Sequence, residues 1–313
     1  MRVAAIDVGT NSVRLLVAEA IPGSFRAVDR RLTITRLGQG VDRHKVLSHE
    51  ALTRTLTCIA EYAALCGELD VGLMRVAGTS AVRDAANRHE LFEGVLKLTG
   101  HELEMLSGEE EARLTFLGAL SDLVTEEPVL LVDIGGGSTE LVYGARAAER
   151  AISLDIGCVR LHERHLASDP PTVEELDSLR TDVRTHLGDA QQALDLPGST
   201  RLIGVAGTVT QLAALKAGTP VYDPDVTHHA VLSHGDVRRL ARRLASLKLE
   251  QRKKTAGLVP GRADVIVSGA EILLGVMEAF DSAEVLVSER DILDGLVLDL
   301  LERRIESDIS ESL

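Results

Sequence analysis

Residues 6–17 read Ile6-Asp-Val-Gly-Thr-Asn-Ser-Val-Arg-Leu-Leu-Val17, and residues 132–143 read Val132-Asp-Ile-Gly-Gly-Gly-Ser-Thr-Glu-Leu-Val-Tyr143. Aligned on aspartate, the two segments share Asp7 and Asp133, Gly9 and Gly135, Ser12 and Ser138, and Leu15 and Leu141 at one constant offset. In each, an apolar strand ends in aspartate, a Gly/Ser/Thr turn follows and an apolar strand resumes, which is the pattern of a β-hairpin. Such a turn points several backbone N–H groups into one concavity and makes an anion nest. One copy alone is equally well an ordinary turn, because Asp and Gly are common in turns for conformational reasons. Two matched copies point to a duplicated lobe with one phosphate loop in each.

The rest of the chain fits two lobes. Its 313 residues exceed the roughly 250–300 at which single cores stop growing, so two domains are expected. The 45% hydrophobic content is nearly all aliphatic, with four Phe, three Tyr and no Trp, which suits α/β layers built on buried strands. A net charge of −14 repels polyanions at long range and argues against nucleic-acid or anionic-membrane partners, so an anionic substrate must be captured locally. Cys58, Cys66 and Cys158 have neither zinc-ligand nor redox-pair spacing and read as free thiols of a reducing compartment. Met1 leads at once into the apolar run Val3 to Ile6 with no export signal, and no apolar stretch approaches the ~18 residues of a membrane span. A soluble, cytoplasmic protein is expected.

Working outward from the hairpins, periodicity predicts helices over Ser48 to Cys66 and Ala85 to Leu98 and short strands over Gly72 to Ala77 and Glu102 to Leu106. Domain I then spans residues 1–125, the acidic, proline-bearing segment Thr125 to Pro128 is the linker, and domain II covers residues 126–291. Thr172 to Leu196 and His234 to Leu249 read as helices of the second lobe. A final helix, starting at Ile292 and running to residue 305 or on to 313, is expected to cross back onto domain I.

Paired hairpins of this kind resemble the actin and hexokinase superfamily, whose two ribonuclease H-like domains grip phosphates across an interdomain cleft. More closely, the chain resembles the exopolyphosphatase and guanosine pentaphosphate phosphatase family along nearly its whole length. The resemblance rests on an ordered set: Asp7-Val-Gly-Thr-Asn-Ser-Val-Arg14, Thr79-Ser-Ala-Val-Arg83 with Asn87, Ser107-Gly-Glu-Glu-Glu-Ala112, Asp133-Ile-Gly-Gly-Gly-Ser-Thr-Glu140, Ser153-Leu-Asp-Ile-Gly-Cys-Val-Arg160 and Ala206-Gly-Thr-Val-Thr210. It implies two actin-like α/β domains of the short type, since longer members append a helical domain and this sequence stops at Leu313. It also implies release of orthophosphate from the end of a polyphosphate chain, or from guanosine pentaphosphate or another nucleoside polyphosphate, and a homodimer.

Phosphoryl transfer needs charge neutralisation and positioning more than covalent chemistry. The loops Gly9-Thr10-Asn11-Ser12 and Gly135-Gly136-Gly137-Ser138 are expected to cradle phosphates, with Asp7 and Asp133 holding Mg²⁺ or Mn²⁺ directly or through water. The family pattern adds Glu140 as a possible metal ligand, Glu111 as the carboxylate that takes a proton from the attacking water, and Arg83 as a phosphate contact. Glu109 and Glu110 are expected to cap the helix that opens there. Gly207 and Thr208 resemble the superfamily's third loop, although a plain strand-to-helix turn reads the same. Arg14 is as well explained as an outward strand residue.

The run Arg238-Arg-Leu-Ala-Arg-Arg-Leu244 suggests polyanion binding, but leucines at helical spacing make it a solvated helix face. His228 and His229 have no acids at metal spacing and receive no role. Where the family commonly has Gly-Leu-Arg-Glu-Gly, this chain has Asp291-Ile-Leu-Asp-Gly295, which leaves any site there open. A non-catalytic polyphosphate or nucleotide sensor, argued against by Glu111, and a kinase of the same fold, for which no acceptor pocket is identifiable, are the readings from other classes.

Overall fold

The computed structural model describes residues 1–123, 125–196, 198 and 200–311, with side chains up to residue 305. Two compact units are present: Met1–Asp122 joined by Arg290–Leu313, and Leu123–Glu289. The first break falls at Asp122 rather than at residue 125, and the chain returns to the first unit at Arg290, ahead of the final helix.

Unit 1 is built on a five-stranded sheet of β1 (Arg2–Val8), β2 (Ser12–Ile21), β3 (Ser24–Ile34), β4 (Val71–Gly78) and β5 (Leu103–Met105). The order is β3-β2-β1-β4-β5, an antiparallel meander followed by two parallel strands. β1 is buried on both faces, which is why its sequence shows no polar alternation. Ala4, Ile6 and Val8 share one cluster with Ile59 and Leu91 of the helices His49–Glu68 and Arg88–Thr99. Val3 and Ala5 share the other with Leu114 and Leu296 of the helices Gly108–Ala119 and Ile292–Glu311. The last two residues of the final helix as read from sequence, 312 and 313, lie outside the described residues.

Glycines set the approach of those last two helices. A Cβ on Gly118 would stand 1.9 Å from the Asp291 carbonyl oxygen, and one on Gly295 would stand 1.9 Å from that of Leu114. The helix expected over residues 85–98 begins only at Arg88, after a separate helical turn, Ser80–Asp84. Ala85 is extended (φ −86°, ψ 128°), and Asn87 stands at the N-cap, where its amide accepts from Leu47 N (2.8 Å) and donates to Leu47 O (3.1 Å) and to Glu90 Oε1 (3.0 Å).

Unit 2 repeats the plan. β6 (Val129–Ile134), β7 (Thr139–Gly144) and β8 (Ala148–Leu154) form the meander, β9 (Arg201–Val205) lies parallel to β6, β10 (Val231–Ser233) caps the edge, and β11 (Glu284–Val287) lies parallel to β9. The order β10-β11-β9-β6-β7-β8 is that of unit 1 with one edge strand added. A cluster that includes Leu130, Val132, Val183, Leu187, Leu212, Leu240 and Leu273 joins the sheet to its helices. Helix His234–Ser246 stops short of residue 249 because Leu247 is extended (φ −93°, ψ 144°), and a new turn starts at Leu249. The protein is thus a mixed α/β fold whose two sheets share one strand order. Among the described residues, no helix is long and apolar enough to cross a membrane.

Candidate active site

In unit 1, the β1–β2 turn closes with Gly9 N donating to Ser12 O at 3.0 Å. A Cβ on Gly9 would sit 3.1 Å from that oxygen, so the turn is tight without a left-handed residue. Thr10 and Asn11 are buried, and their carbonyls are taken by Gly38 N (2.8 Å) and by Thr35 N and Arg36 N (3.1 and 2.9 Å). Their own N–H groups donate to no other group among the described residues, which leaves a nest of two amides.

Asp7 and Arg14 are cross-strand partners in β1 and β2, and Arg14 Nε and Nη2 donate to Asp7 Oδ2 at 3.0 and 2.8 Å. Arg14 Nη1 donates to Asp291 Oδ2, so Arg14 lies between two buried carboxylates rather than pointing to solvent. Asp7 Oδ1 is buried with no hydrogen-bond partner among the described residues. Burial pushes the Asp7 carboxyl up, against the pull of Arg14, and the charge of Asp291 adds to the rise.

Helix Gly108–Ala119 delivers Glu111. Ser107 and Glu110 form a capping box, with Glu110 N donating to Ser107 Oγ (3.1 Å) and Ser107 N to Glu110 Oε2 (3.0 Å). Capping is therefore complete without Glu111, whose carboxylate turns inward and is 8% exposed. Arg83 Nη1 donates to Glu111 Oε2 at 2.6 Å and to Leu106 O at 3.0 Å. Burial raises the Glu111 pKa, Arg83 opposes it, and the charge of Asp7 raises it further, which couples the loop aspartate to this carboxylate.

In unit 2, the β6–β7 turn closes in the same way, with Gly135 N to Ser138 O at 3.0 Å. Its carbonyls are consumed by the start of helix Cys158–His165: Cys158 N donates to Gly135 O (2.9 Å), Val159 N and Arg160 N to Gly136 O (2.9 and 3.1 Å), and Arg160 Nε to Gly137 O (2.6 Å). The N–H groups of Gly136 and Gly137 donate to no other group among the described residues. Gly157 lies against this loop so closely that a Cβ would come 2.4 Å from Gly136 C and O. Asp133 and Glu140 are buried cross-strand partners at the positions that Asp7 and Arg14 hold in unit 1, and Ser153 Oγ donates to Glu140 Oε1 at 2.8 Å.

The third predicted loop lies beside the second, because β9 runs parallel to β6 with Val205 next to Asp133. Ala206 is left-handed (φ 64°), a conformation rare for alanine and often found where a backbone is constrained by function. The Arg262 guanidinium covers Gly207, where a Cβ would stand 2.1 Å from Cζ. Thr208 is buried and packs on Gly269.

The structure thus brings Asp7, Thr10, Asn11, Arg83 and Glu111 into unit 1, and Asp133, the Gly135–Ser138 loop, Glu140, Gly207 and Thr208 into unit 2. Sequence reasoning gave no role to Arg160, Arg262 or Asp291. Arg160 closes a quoted motif, which was its only signal; Arg262 and Asp291 reach their loops through tertiary packing. The carboxylate oxygens of Asp7, and of the Asp133–Glu140 pair, are the hard donors that Mg²⁺ or Mn²⁺ prefers, and the unsatisfied Asp7 Oδ1 fits a cation ligand.

Each unit thus carries a turn whose amides suit an anion, and unit 1 adds a buried carboxylate of raised pKa, features that suit phosphoryl chemistry. The chain belongs to the Ppx/GppA phosphatase family, whose model matches residues 16–304, and it is a hydrolase of phosphoric anhydride bonds. It is 41% identical to Exopolyphosphatase 2 of Mycobacterium tuberculosis over 96% of this chain and 98% of that one. A family member from Aquifex aeolicus matches with a TM-score of 0.82 at 32% identity, over 97% and 98% of the chains. An exopolyphosphatase from Cytophaga hutchinsonii matches with a TM-score of 0.90 at 26% identity, over 96% and 98%.

Proposed function

We propose that this protein is an exopolyphosphatase that hydrolyses the terminal phosphoanhydride bond of short inorganic polyphosphate and releases orthophosphate. The observation that carries the reading is Glu111: a buried carboxylate, raised in pKa and free of any capping duty, in the same unit as the first phosphate loop. The name of the 41%-identical relative supports the choice of substrate.

In this reading the N–H groups of residues 10–11 and 136–137 hold phosphate oxygens, which costs no reorganisation because their carbonyls are already fixed. Water attacks the terminal phosphorus, Glu111 takes its proton, and the bridging oxygen departs with the shortened chain. Arg83 orients Glu111 and opposes the rise in pKa that burial imposes on it. Asp7 in unit 1 and the Asp133–Glu140 pair in unit 2 each offer carboxylate oxygens that would suit Mg²⁺ or Mn²⁺, which when bound would neutralise phosphate charge.

Phosphate release from tripolyphosphate, from chains of hundreds of units, from guanosine pentaphosphate and from ATP tests the reading, each with Mg²⁺ and with excess chelator. The fastest release is expected from tripolyphosphate, with none in chelator. Release confined to guanosine pentaphosphate makes the protein a nucleotide phosphatase, which the same residues serve. Binding without release from any of them makes it a sensor and removes Glu111 from the mechanism.

A further inference from the structure

A second concave site lies in unit 2 on the helices Val173–Leu194, His234–Ser246 and Ile266–Ala279. Its volume is about 430 Å³, within the range of small-molecule sites. Four arginines line it as two i,i+4 pairs on two different helices, Arg180 with Arg184 and Arg238 with Arg242. The apolar side chains of Val183, Ala241 and Leu274 also line it. The arginine-rich run that reads from sequence as a solvated face therefore sends two of its members into a cavity. The leucine stripe of that helix is buried as periodicity requires.

Two glutamates of helix Ile266–Ala279 share the site and do not neutralise it. Glu271 is 3% exposed and takes Arg180 in a two-pronged pair, with Nε to Oε2 and Nη2 to Oε1 both at 2.8 Å, so this guanidinium is fixed in orientation. Glu278 sits 3.7 Å from Arg238. Arg184 donates only to a hydroxyl, Thr181 Oγ1, at 2.9 Å, and Arg242 has no acidic partner among the described residues. Two uncompensated guanidinium groups thus face one cavity in a protein of net charge −14, where exposed cations are outnumbered.

We propose that this cavity is a binding site for the oligophosphate group of a small molecule, separate from the phosphate loops. Planar guanidinium forks match phosphate oxygens in pairs, and opposing arginines on two helices suit an anion extended over two or three phosphates. The oligophosphate could come from inorganic tripolyphosphate or from a nucleoside triphosphate, whose ring the apolar wall would take.

Non-hydrolysable imido analogues of tripolyphosphate and of ATP test this on the full-length protein, with arginine modification by phenylglyoxal read by mass spectrometry. A supporting result is slower modification of Arg184 and Arg242 at saturating ligand, with the exposed Arg243 of the same helix unaffected. Protection by only one analogue names the source; protection by neither, or equal protection of Arg243, overturns the proposal. In parallel, R184E/R242E should weaken binding at this site by at least about tenfold per arginine, the usual scale of a charged hydrogen bond, with turnover of substrate unchanged. R184K/R242K should restore part of the affinity. Unchanged stoichiometry and affinity in R184E/R242E would overturn the site while leaving the phosphohydrolase reading intact.

Discussion

Arg83 Nη1 lies 2.6 Å from Glu111 Oε2, so the guanidinium expected to contact substrate phosphate also holds the candidate base. The pair is mostly buried, at 22% and 11% side-chain exposure, and Arg83 is anchored from behind by Leu106 O. Its geometry fixes which Glu111 oxygen is engaged.

Glu111→Gln keeps the shape and removes the base. Turnover should fall roughly 10²–10⁴-fold, or about 3–5 kcal/mol of barrier, with substrate affinity little changed. Glu110, not Glu111, completes the capping box, so stability should change only through the weakened pair with Arg83, by roughly 1–3 kcal/mol. Steady-state kinetics, binding and melting on one preparation check this; near-normal turnover would take Glu111 out of the mechanism.

The acid limb of kcat/KM should lie above the ordinary carboxylate range. A base must be ionised, and burial raises the pKa of Glu111, so activity is lost as pH falls through that raised value. Arg83→Gln deletes the cation that opposes the rise, and should move the limb to still higher pH while turnover at alkaline pH largely recovers. A limb that stays in place in Arg83→Gln would show that some other group sets it.

Asp291 should matter more than its divergence from the family motif suggests. It accepts from Arg14 and also from Leu293 N at 3.0 Å, as the cap of the last helix. Asp291→Ala should cost roughly 2–4 kcal/mol by removing a cap and a charged hydrogen bond together. Asp291→Asn keeps the cap and should cost less. Urea unfolding of both variants separates the two contributions, and equal losses would assign the whole effect to the ion pair.

Gly157→Ala should damage the second phosphate loop, because its Cβ would meet backbone atoms of Gly136 at 2.4 Å and one segment must move. A loss of roughly 1–3 kcal/mol is expected, with a raised KM. Gly188→Ala is the control: inside helix Val173–Leu194 with nothing within 4 Å, it should be neutral or stabilise by up to about 1 kcal/mol. Melting curves and KM for the two variants decide it, and an undisturbed Gly157→Ala would mean that the loop tolerates displacement.

The two hairpins could be read from sequence because each signal is local: an apolar run, Asp, a small-residue turn and a second apolar run. Helices with strong caps, such as that after Ser107, were legible for the same reason. β3 was not, since most of its residues are exposed and its sequence, Ser-Phe-Arg-Ala-Val-Asp-Arg-Arg, carries no steady alternation. The partners of the site were also illegible. Arg14 and Asp291 are 277 positions apart, and Arg262 reaches Gly207 only through packing, so no spacing rule connects them. Arg83 carried a motif signal but not the identity of its partner.

The glycine-mediated crossing of helices Gly108–Ala119 and Ile292–Glu311 sets an order for assembly on the ribosome. A nascent chain that has emerged through Glu289 holds every residue of unit 2, and its core can close at once. Val3, Ala5, Leu16 and Leu114, made far earlier, must wait for Ile292, Leu293, Leu296 and Val297 to cover them. Each of the larger side chains is worth roughly 1.5–3 kcal/mol when buried, so the first part synthesised is the last to reach full stability. Until then it presents an apolar sheet face to chaperones and to other nascent chains.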